Sequence, residues 1–324
     1  MLSVENYRNE FISFLKEKTS TKEPINLYAP ITYILGLGGK RLRPVLTLLT
    51  TELFGSDHKE ALNAALAIEI FHNFSLVHDD IMDDAPLRRG QPTVHAKWDV
   101  NTGILSGDAM LITAYQLFEH YEGLTFKALA ELFSKTALEV CEGQQYDIDF
   151  ELRDDVTLPE YLKMIEYKTA VLVGAAMKMG GIIAKASKEE QDQIYEFGKN
   201  LGVAFQLQDD YLDAFGNPKN FGKQIGGDII ENKKTILFLT AMDHGNEMQK
   251  GELRDLYSID PKDPSDKINA TKDIFLATGA VEHTNTQIAN YTQRAFEVLD
   301  SLEITEDKKE LLRNFGEGLM RREV

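Results

Sequence analysis

The sequence predicts an all-α protein, and three observations carry that prediction. Apolar residues recur at three- and four-residue spacing through most of the chain. No stretch shows a strand-like alternation that survives comparison with a helical reading. Helix start and stop signals punctuate the pattern, among them Thr157-Leu158-Pro159-Glu160 and Gly216-Asn217-Pro218.

Composition bounds what such a protein can do. The 324 residues are 43% hydrophobic and 27% charged, which suits a globular chain with a sizeable core. The length would allow two domains, but no linker or low-complexity segment divides residues 1–324. No apolar run reaches the ~18 residues that a membrane span needs. The start, Met1-Leu2-Ser3-Val4-Glu5-Asn6, lacks the basic and apolar regions of a signal peptide, so a cytoplasmic protein is expected. Cys141 is the one cysteine; it excludes an internal disulfide and a cysteine-based zinc cluster, and its apolar helical surroundings predict a core position. A net charge of −17 argues against nucleic acid, whose binding rests on Lys and Arg neutralising phosphates. An anionic small substrate stays open, provided the basic residues converge.

Helices are expected over about residues 5–18 and 24–37. Gly36-Leu37-Gly38-Gly39 breaks the pattern, and Pro44 suits the first turn of the next helix. Lys40, Arg41 and Arg43 therefore sit at a helix start, where backbone N–H groups and the dipole also favour anions. This is a diphosphate cradle without a Walker-type P-loop, or an ordinary basic loop. Ser56 is the expected cap of a long helix over about 57–84, which carries Phe71, His72, Phe74, Ser75 and, near its C-terminal end, Asp79, Asp80 and Asp83. Acids there oppose the helix dipole, a broken local rule of the kind found at functional sites. His72 precedes Asp79 by two turns on the same face, as a substrate contact or as a core histidine. The segment Pro86–Pro92 reads as a loop that sets Arg88 and Arg89 directly after the acids. Arginine is the side chain of choice for forked contacts to phosphate.

A short helix near Trp98 and helices over about 102–121 and 125–149 come next; Gln144 and Asp147 on the last are candidates to face a pocket. Thr157 caps a helix through Lys168 and Thr169. Lys168 borders an apolar run, so it is either snorkelling or aimed at a buried anion. Ser187 starts a helix that carries Gln206 and a second acid motif, Asp209-Asp210-Tyr211-Leu212-Asp213. The long glycine-rich stretch 221–228 reads as a lid, flanked by Lys223 and Lys233. Four or five amphipathic helices fill about 233–322, closing on Arg321-Arg322, to which no role is assigned.

Both acid motifs read D-D-x-x-D. On a helix, Asp79 stacks over Asp83 and Asp209 over Asp213. Like charges at that spacing destabilise a helix by a few tenths of a kcal/mol, so a cation is expected in the gap. Carboxylates that leave positions open suit magnesium shared with phosphate oxygens. The plainer alternative, a solvated acidic face, fits one copy better than two.

Taken in order, Gly38-Gly39-Lys40-Arg41-Leu42-Arg43-Pro44, the first acid motif, Arg88-Arg89-Gly90, Lys168-Thr169, Phe205-Gln206-Leu207-Gln208 with the second acid motif, Gly222-Lys223 and Asn232-Lys233 resemble the trans-prenyl diphosphate synthases. The resemblance implies a single-domain all-α fold around a deep central cavity, usually as a homodimer. It implies that Asp79, Asp83 and Asp209 bind three magnesium ions, with Asp80, Asp210 and Asp213 as supporting acids. Arg88, Lys168, Lys223 and Lys233 would hold the allylic diphosphate, and Lys40, Arg43, His72 and Arg89 the isopentenyl diphosphate. Thr169 and Gln206 would turn polar atoms towards the allylic carbon. Ionisation of the allylic diphosphate, attack by the isopentenyl double bond and loss of a proton to the released diphosphate would follow.

In that family, residues four and five places before the first aspartate form the floor that sets product length. Here they are Ser75 and Phe74, with Phe71 one turn below. The pattern is closer to a twenty-carbon product, with fifteen carbons as the alternative. A terpene cyclase and a non-catalytic partner subunit are rival readings. Cyclases generally lack a second full acid motif and the isopentenyl cradle, and partner subunits lose aspartates that this chain keeps.

Overall fold

A computed structural model describes residues 1–217 and 226–321. Lys223, most of the expected lid and Arg322 lie outside the described residues. Two compact units emerge: Met1–Thr136 with Ala175–Tyr195, and Ala137–Gly174 with Glu196–Val324.

The first unit holds α1 (Val4–Lys18), α2 (Ile25–Gly36), α3 (Leu42–Leu53), α4 (Leu62–Met82), a hairpin of β1 (Leu87–Arg88) and β2 (Gln91–Pro92), α5 (Val94–Lys97), α6 (Val100–Gln116) and the start of α7 (Gly123–Glu151). Ser3 caps α1 through the Asn6 N–H, and Asp99 caps α6 through that of Thr102. Helix α4 is apolar nearly all round and is buried from Ala64 to Phe71. Such a helix belongs inside, and it packs between α3 and α6. The unit also takes in the end of α9 (Val171–Ile183) and the start of α10 (Lys188–Phe215). Gly180 of α9 lets α3 come close, since a Cβ there would meet the Thr47 carbonyl oxygen at 2.6 Å.

Three local expectations change here. Asp57, not Ser56, makes the cap, and it caps a 3₁₀ turn, His58–Ala61, ahead of α4. Helix α4 stops at Met82, so Asp83 is its C-cap residue and not part of its last turn. Residues 87–92 form a two-stranded hairpin, not a plain loop. Arg89 and Gly90 take φ of 53° and 73°, the two left-handed positions of a type I′ turn, which glycine accepts freely and a two-residue hairpin requires.

The second unit holds the rest of α7, then α8 (Leu158–Ile165), a π-helical turn Glu166–Ala170, the start of α9, most of α10, α11 (Gly227–Ile230), α12 (Ile236–His244), α13 (Glu247–Leu256), α14 (Ser265–Ala277), α15 (Ala280–Ser301) and α16 (Glu306–Met320). Thr157 caps α8 as the sequence predicts, and Glu160 bonds back to it to close a capping box. Ser187 and Glu190 exchange the same pair of bonds ahead of α10. The core gathers Tyr161, Ile165, Val203, Leu207, Ile236, Leu237 and Phe275. Cys141 is exposed on α7 and is not a core residue. No helix of the described residues is long and apolar enough to cross a membrane.

Candidate active site

In the first unit, basic residues from three elements surround one face of α4. Left-handed backbone at Gly38, Gly39 and Arg41 turns the chain sharply into α3. Arg41 is buried; it donates to Glu69 of α4 and to the Leu35 carbonyl, so its charge is taken internally. Arg43, two residues on, is different. Its Nε is buried with no hydrogen-bond partner among the described residues, and burial lowers its pKa. Arg89, at the hairpin turn, donates to the Gly38 carbonyl. Gly39 takes φ of 118°, which favours glycine, and the Arg89 guanidinium lies against it, 2.9 Å from where a Cβ would stand. Burial, then Arg43, Arg89, Arg88 and Arg41, push the His72 pKa well below its usual 6.5. His72 is therefore a neutral hydrogen-bonding group in a positive field. An anion is what such a field attracts. Lys40 lies exposed at the same turn.

The acids of the first motif divide the work. Asp80 is 1% exposed, and both its oxygens accept from Arg88 Nε at 2.8 Å. Burial opposes the Arg88 charge, but Asp80, Asp79 and Asp83 raise its pKa all the same. Arg88 Nη2 also reaches Asp79 Oδ2 at 3.5 Å. Asp79 is 19% exposed on its side chain, open enough for a further ligand. Asp83 stands at the exposed helix end.

Below these acids lies an aromatic stack. Phe74 packs edge-on to His78 at 4.7 Å and against Phe71 at 5.5 Å. Phe71 meets Phe133, which meets Tyr115 and Phe118. Ser75 leaves its place unfilled by an aromatic ring and donates to the His72 carbonyl at 2.8 Å.

In the second unit, the π turn presents Lys168 and Thr169. A Cβ on Gly143 of α7 would collide with the Lys168 backbone, and one on Gly202 of α10 would lie 2.7 Å from Ala170 Cα. The two glycines admit the wide turn between the helices; π turns recur at functional sites. Lys168 Nζ pairs with Asp147 Oδ2 at 2.5 Å, both side chains being about a quarter exposed. Gln144 Nε2 is buried without a hydrogen-bond partner among the described residues. Lys233 pairs with Glu231 at 2.9 Å; burial opposes its charge, yet Glu231, Asp228 and Asp147 raise its pKa.

A chain of hydrogen bonds runs through the second motif. Thr169 Oγ1 donates to Gln206 Oε1 at 3.2 Å, and Gln206 Nε2 to Asp210 Oδ1 at 3.0 Å. The other Asp210 oxygen accepts from Tyr161. Burial, followed by the charge of Asp228, pushes the Asp210 pKa well above the usual carboxylate value. Asp213 is buried and accepts from the Asp228 N–H at 2.9 Å, which ties the start of α11 to α10. Asp209 is half-buried. Arg321 pairs along its own helix with Glu317 and is 77% exposed, far from a buried role.

Among the described residues no three His, Cys, Asp or Glu side chains make a protein-only metal site. The donor set on offer is one or two carboxylates per motif. It fits magnesium, which completes its shell with water and phosphate oxygens. It does not fit zinc, which takes imidazole and thiolate.

Sequence reading missed Glu69, Phe133 and Tyr161. Glu69 had a signal, as the single acid in the apolar stretch Ala64–Phe71, which demands a buried cation. Tyr161 also had one, standing two turns before Lys168 as His72 stands before Asp79. Phe133 had none, because its partners come from other helices.

The polyprenyl synthetase family model matches residues 24–274. The geranylgeranyl diphosphate synthase of Methanosarcina mazei is 35% identical over 314 residues, 95% of this chain and 94% of that protein. The geranylfarnesyl diphosphate synthase of Natronomonas pharaonis is 36% identical, over 97% and 94% of the two chains. A crystal structure of a geranylgeranyl pyrophosphate synthase superposes with a TM-score of 0.96 at 51% identity, covering 100% of both chains. Another from Corynebacterium glutamicum, complexed with isoprenyl diphosphate and magnesium, gives 0.86 at 26% identity over 98% of each chain.

Proposed function

This chain belongs to the polyprenyl synthetase family, and from that premise we propose that it condenses isopentenyl diphosphate with an allylic diphosphate to give geranylgeranyl diphosphate. It is a prenyltransferase. The observation that carries the reading is the crowding of Arg43, Arg88, Arg89 and neutral His72 around a helix that ends in carboxylates. Cations for diphosphate stand beside acids for a metal, and neither set explains the other alone.

Arg43, Arg89, His72 and Lys40 hold isopentenyl diphosphate. Arg88, Lys168 and Lys233, with Lys223, hold the allylic diphosphate. Asp79, Asp83 and Asp209 are the magnesium ligands, three ions in all. Bound magnesium supplies positive charge to the departing diphosphate. Lys168 and Arg88, already held charged by Asp147 and Asp80, add to that charge without having to reorganise. Thr169 and Gln206 line the path of the allylic carbon, and the released diphosphate takes the final proton. Apolar walls keep water from the cation.

The aromatic stack under Asp79 supports a short product. Phe74 with Phe71 and Phe133 gives a floor of three rings, where a long-chain enzyme needs open space. The relatives' names, geranylgeranyl and geranylfarnesyl, bracket it from twenty carbons upward, and neither is a fifteen-carbon name. A homodimer is part of the proposal: Leu105 and Ile112, both 60% exposed, lie two turns apart on α6 and give it an apolar stripe that a second copy would cover. A cytoplasmic site of action completes it, as the single cysteine suits a reducing compartment.

The test is to incubate the purified chain with isopentenyl diphosphate and dimethylallyl, geranyl or farnesyl diphosphate, with and without magnesium, and to size the dephosphorylated products. Magnesium-dependent formation of a twenty-carbon alcohol is expected. Failure to consume isopentenyl diphosphate would overturn the reading, and cyclised products from the allylic substrate alone would point to a cyclase.

A further inference from the structure

The bonds around Asp210 form a relay with one direction. Gln206 has a donor end and an acceptor end of nearly equal size, so its amide could face either way. Asp210 Oδ1 receives Gln206 Nε2 at 3.0 Å, while Oδ2 receives the Tyr161 hydroxyl. That fixes the amide: Oε1 turns the other way and receives the Thr169 hydroxyl at 3.2 Å. Asp210 in turn is held by the Tyr161 hydroxyl on its second oxygen. Tyr161 is 2% exposed and packed in the core of its unit, so the hydroxyl has little freedom to leave. Both Asp210 oxygens are thus engaged by protein donors, and Asp210 itself is 5% exposed. Asp80, its counterpart, is engaged by a guanidinium, which fixes no amide.

We propose that Tyr161 is a positioning residue for prenyl transfer: through Asp210 it holds the Gln206 amide with its oxygen towards Thr169, so that oxygen and not NH₂ faces the developing allylic cation. Asp210 on this account is an orienting group, not a metal ligand. The proposal rests on the prenyltransferase reading above. A carbonyl oxygen stabilises a nearby cation, whereas the amide NH₂ repels it, and the reversal acts in the transition state more than on the bound diphosphate.

The experiment is a cycle of Tyr161→Phe, Gln206→Ala and the double variant, with kcat and KM measured for both diphosphates and folding checked by thermal melting. Tyr161→Phe keeps the ring and removes only the hydroxyl. The expected result is a fall in kcat of about tenfold with KM for both substrates nearly unchanged. In the Gln206→Ala background, Tyr161→Phe is expected to lower kcat no further, because the group it orients is gone. Three results would overturn the proposal: unchanged kcat in Tyr161→Phe, equal multiplicative losses in the two backgrounds, or a change confined to KM. If the wild-type chain itself shows no prenyl transfer, the prenyltransferase reading has failed instead, and the cycle is not reached.

Discussion

The two D-D-x-x-D motifs are identical in pattern and unlike in structure. In the first, the middle acid, Asp80, is buried against Arg88 as a forked ion pair. In the second, the middle acid, Asp210, is buried among neutral donors, Tyr161 and Gln206, and its pKa is driven up by burial and by Asp228. The third acids part ways too: Asp83 caps the exposed end of α4, whereas Asp213 is buried within α10 and bonds the Asp228 N–H. Only the leading acids, Asp79 and Asp209, stay alike as half-buried carboxylates. The lesson is that the motif fixes where carboxylates start, and their neighbours fix what each one does.

If the leading acids share one task, removing either is the most damaging change. Asp79→Ala and Asp209→Ala are each expected to lower kcat by roughly a thousandfold, the scale of losing a charge-stabilising group. Near-normal turnover by the double variant, assayed with saturating magnesium, would end the metal assignment.

The middle acids should separate in stability. Asp80→Asn removes the buried partner of a part-exposed guanidinium that keeps Asp79, and is expected to destabilise by about 2 kcal/mol. Asp210→Asn removes no ion pair and is expected to cost about 1 kcal/mol, the scale of a misdirected hydrogen bond. Equilibrium urea unfolding of both variants measures the difference; equal losses would mean that Arg88 is not the cause of it.

The ground beneath the leading acids differs as well. Five residues before Asp79 stands Phe74; five before Asp209 stands Ala204, fully buried. Only the first position offers a large side chain to remove. Phe74→Ala, alone or with Phe71→Ala, is expected to lengthen the product by one or two isoprene units on chromatography. An unchanged product spectrum would move the floor elsewhere.

The smallest effect concerns the positive field around His72, beside the first motif. Burial and four arginines hold His72 neutral when folded, while the unfolded residue titrates near 6.5. Below that value the unfolded state binds the extra proton, so this contribution to stability is complete above pH 6.5 and is lost as pH falls. One such group gives a slope of at most ~1.4 kcal/mol per pH unit. His72→Gln is expected to flatten the slope between pH 6.5 and 5 in urea titrations; an unaltered slope would show that another group sets it.

The sequence by itself determined the helical class, the caps at Thr157 and Ser187, both acid motifs, and the basic residues that accompany them. All of these are local: periodicity, capping and spacing act over a few residues, and the chain carries them before it folds. It left Lys168 open between snorkelling and a buried anion; the structure pairs it with the part-exposed Asp147 on another helix, a partner that the apolar run beside Lys168 could not reveal. Tertiary structure alone decided that residues 87–92 pair as a hairpin, that α4 ends before Asp83, that Arg41 is spent on Glu69 while Arg43 keeps an unmet donor, and that Cys141 is exposed. It alone decided which aspartate meets arginine and which meets tyrosine. Those outcomes depend on groups distant in the chain, whose burial and field exist only once the helices have packed.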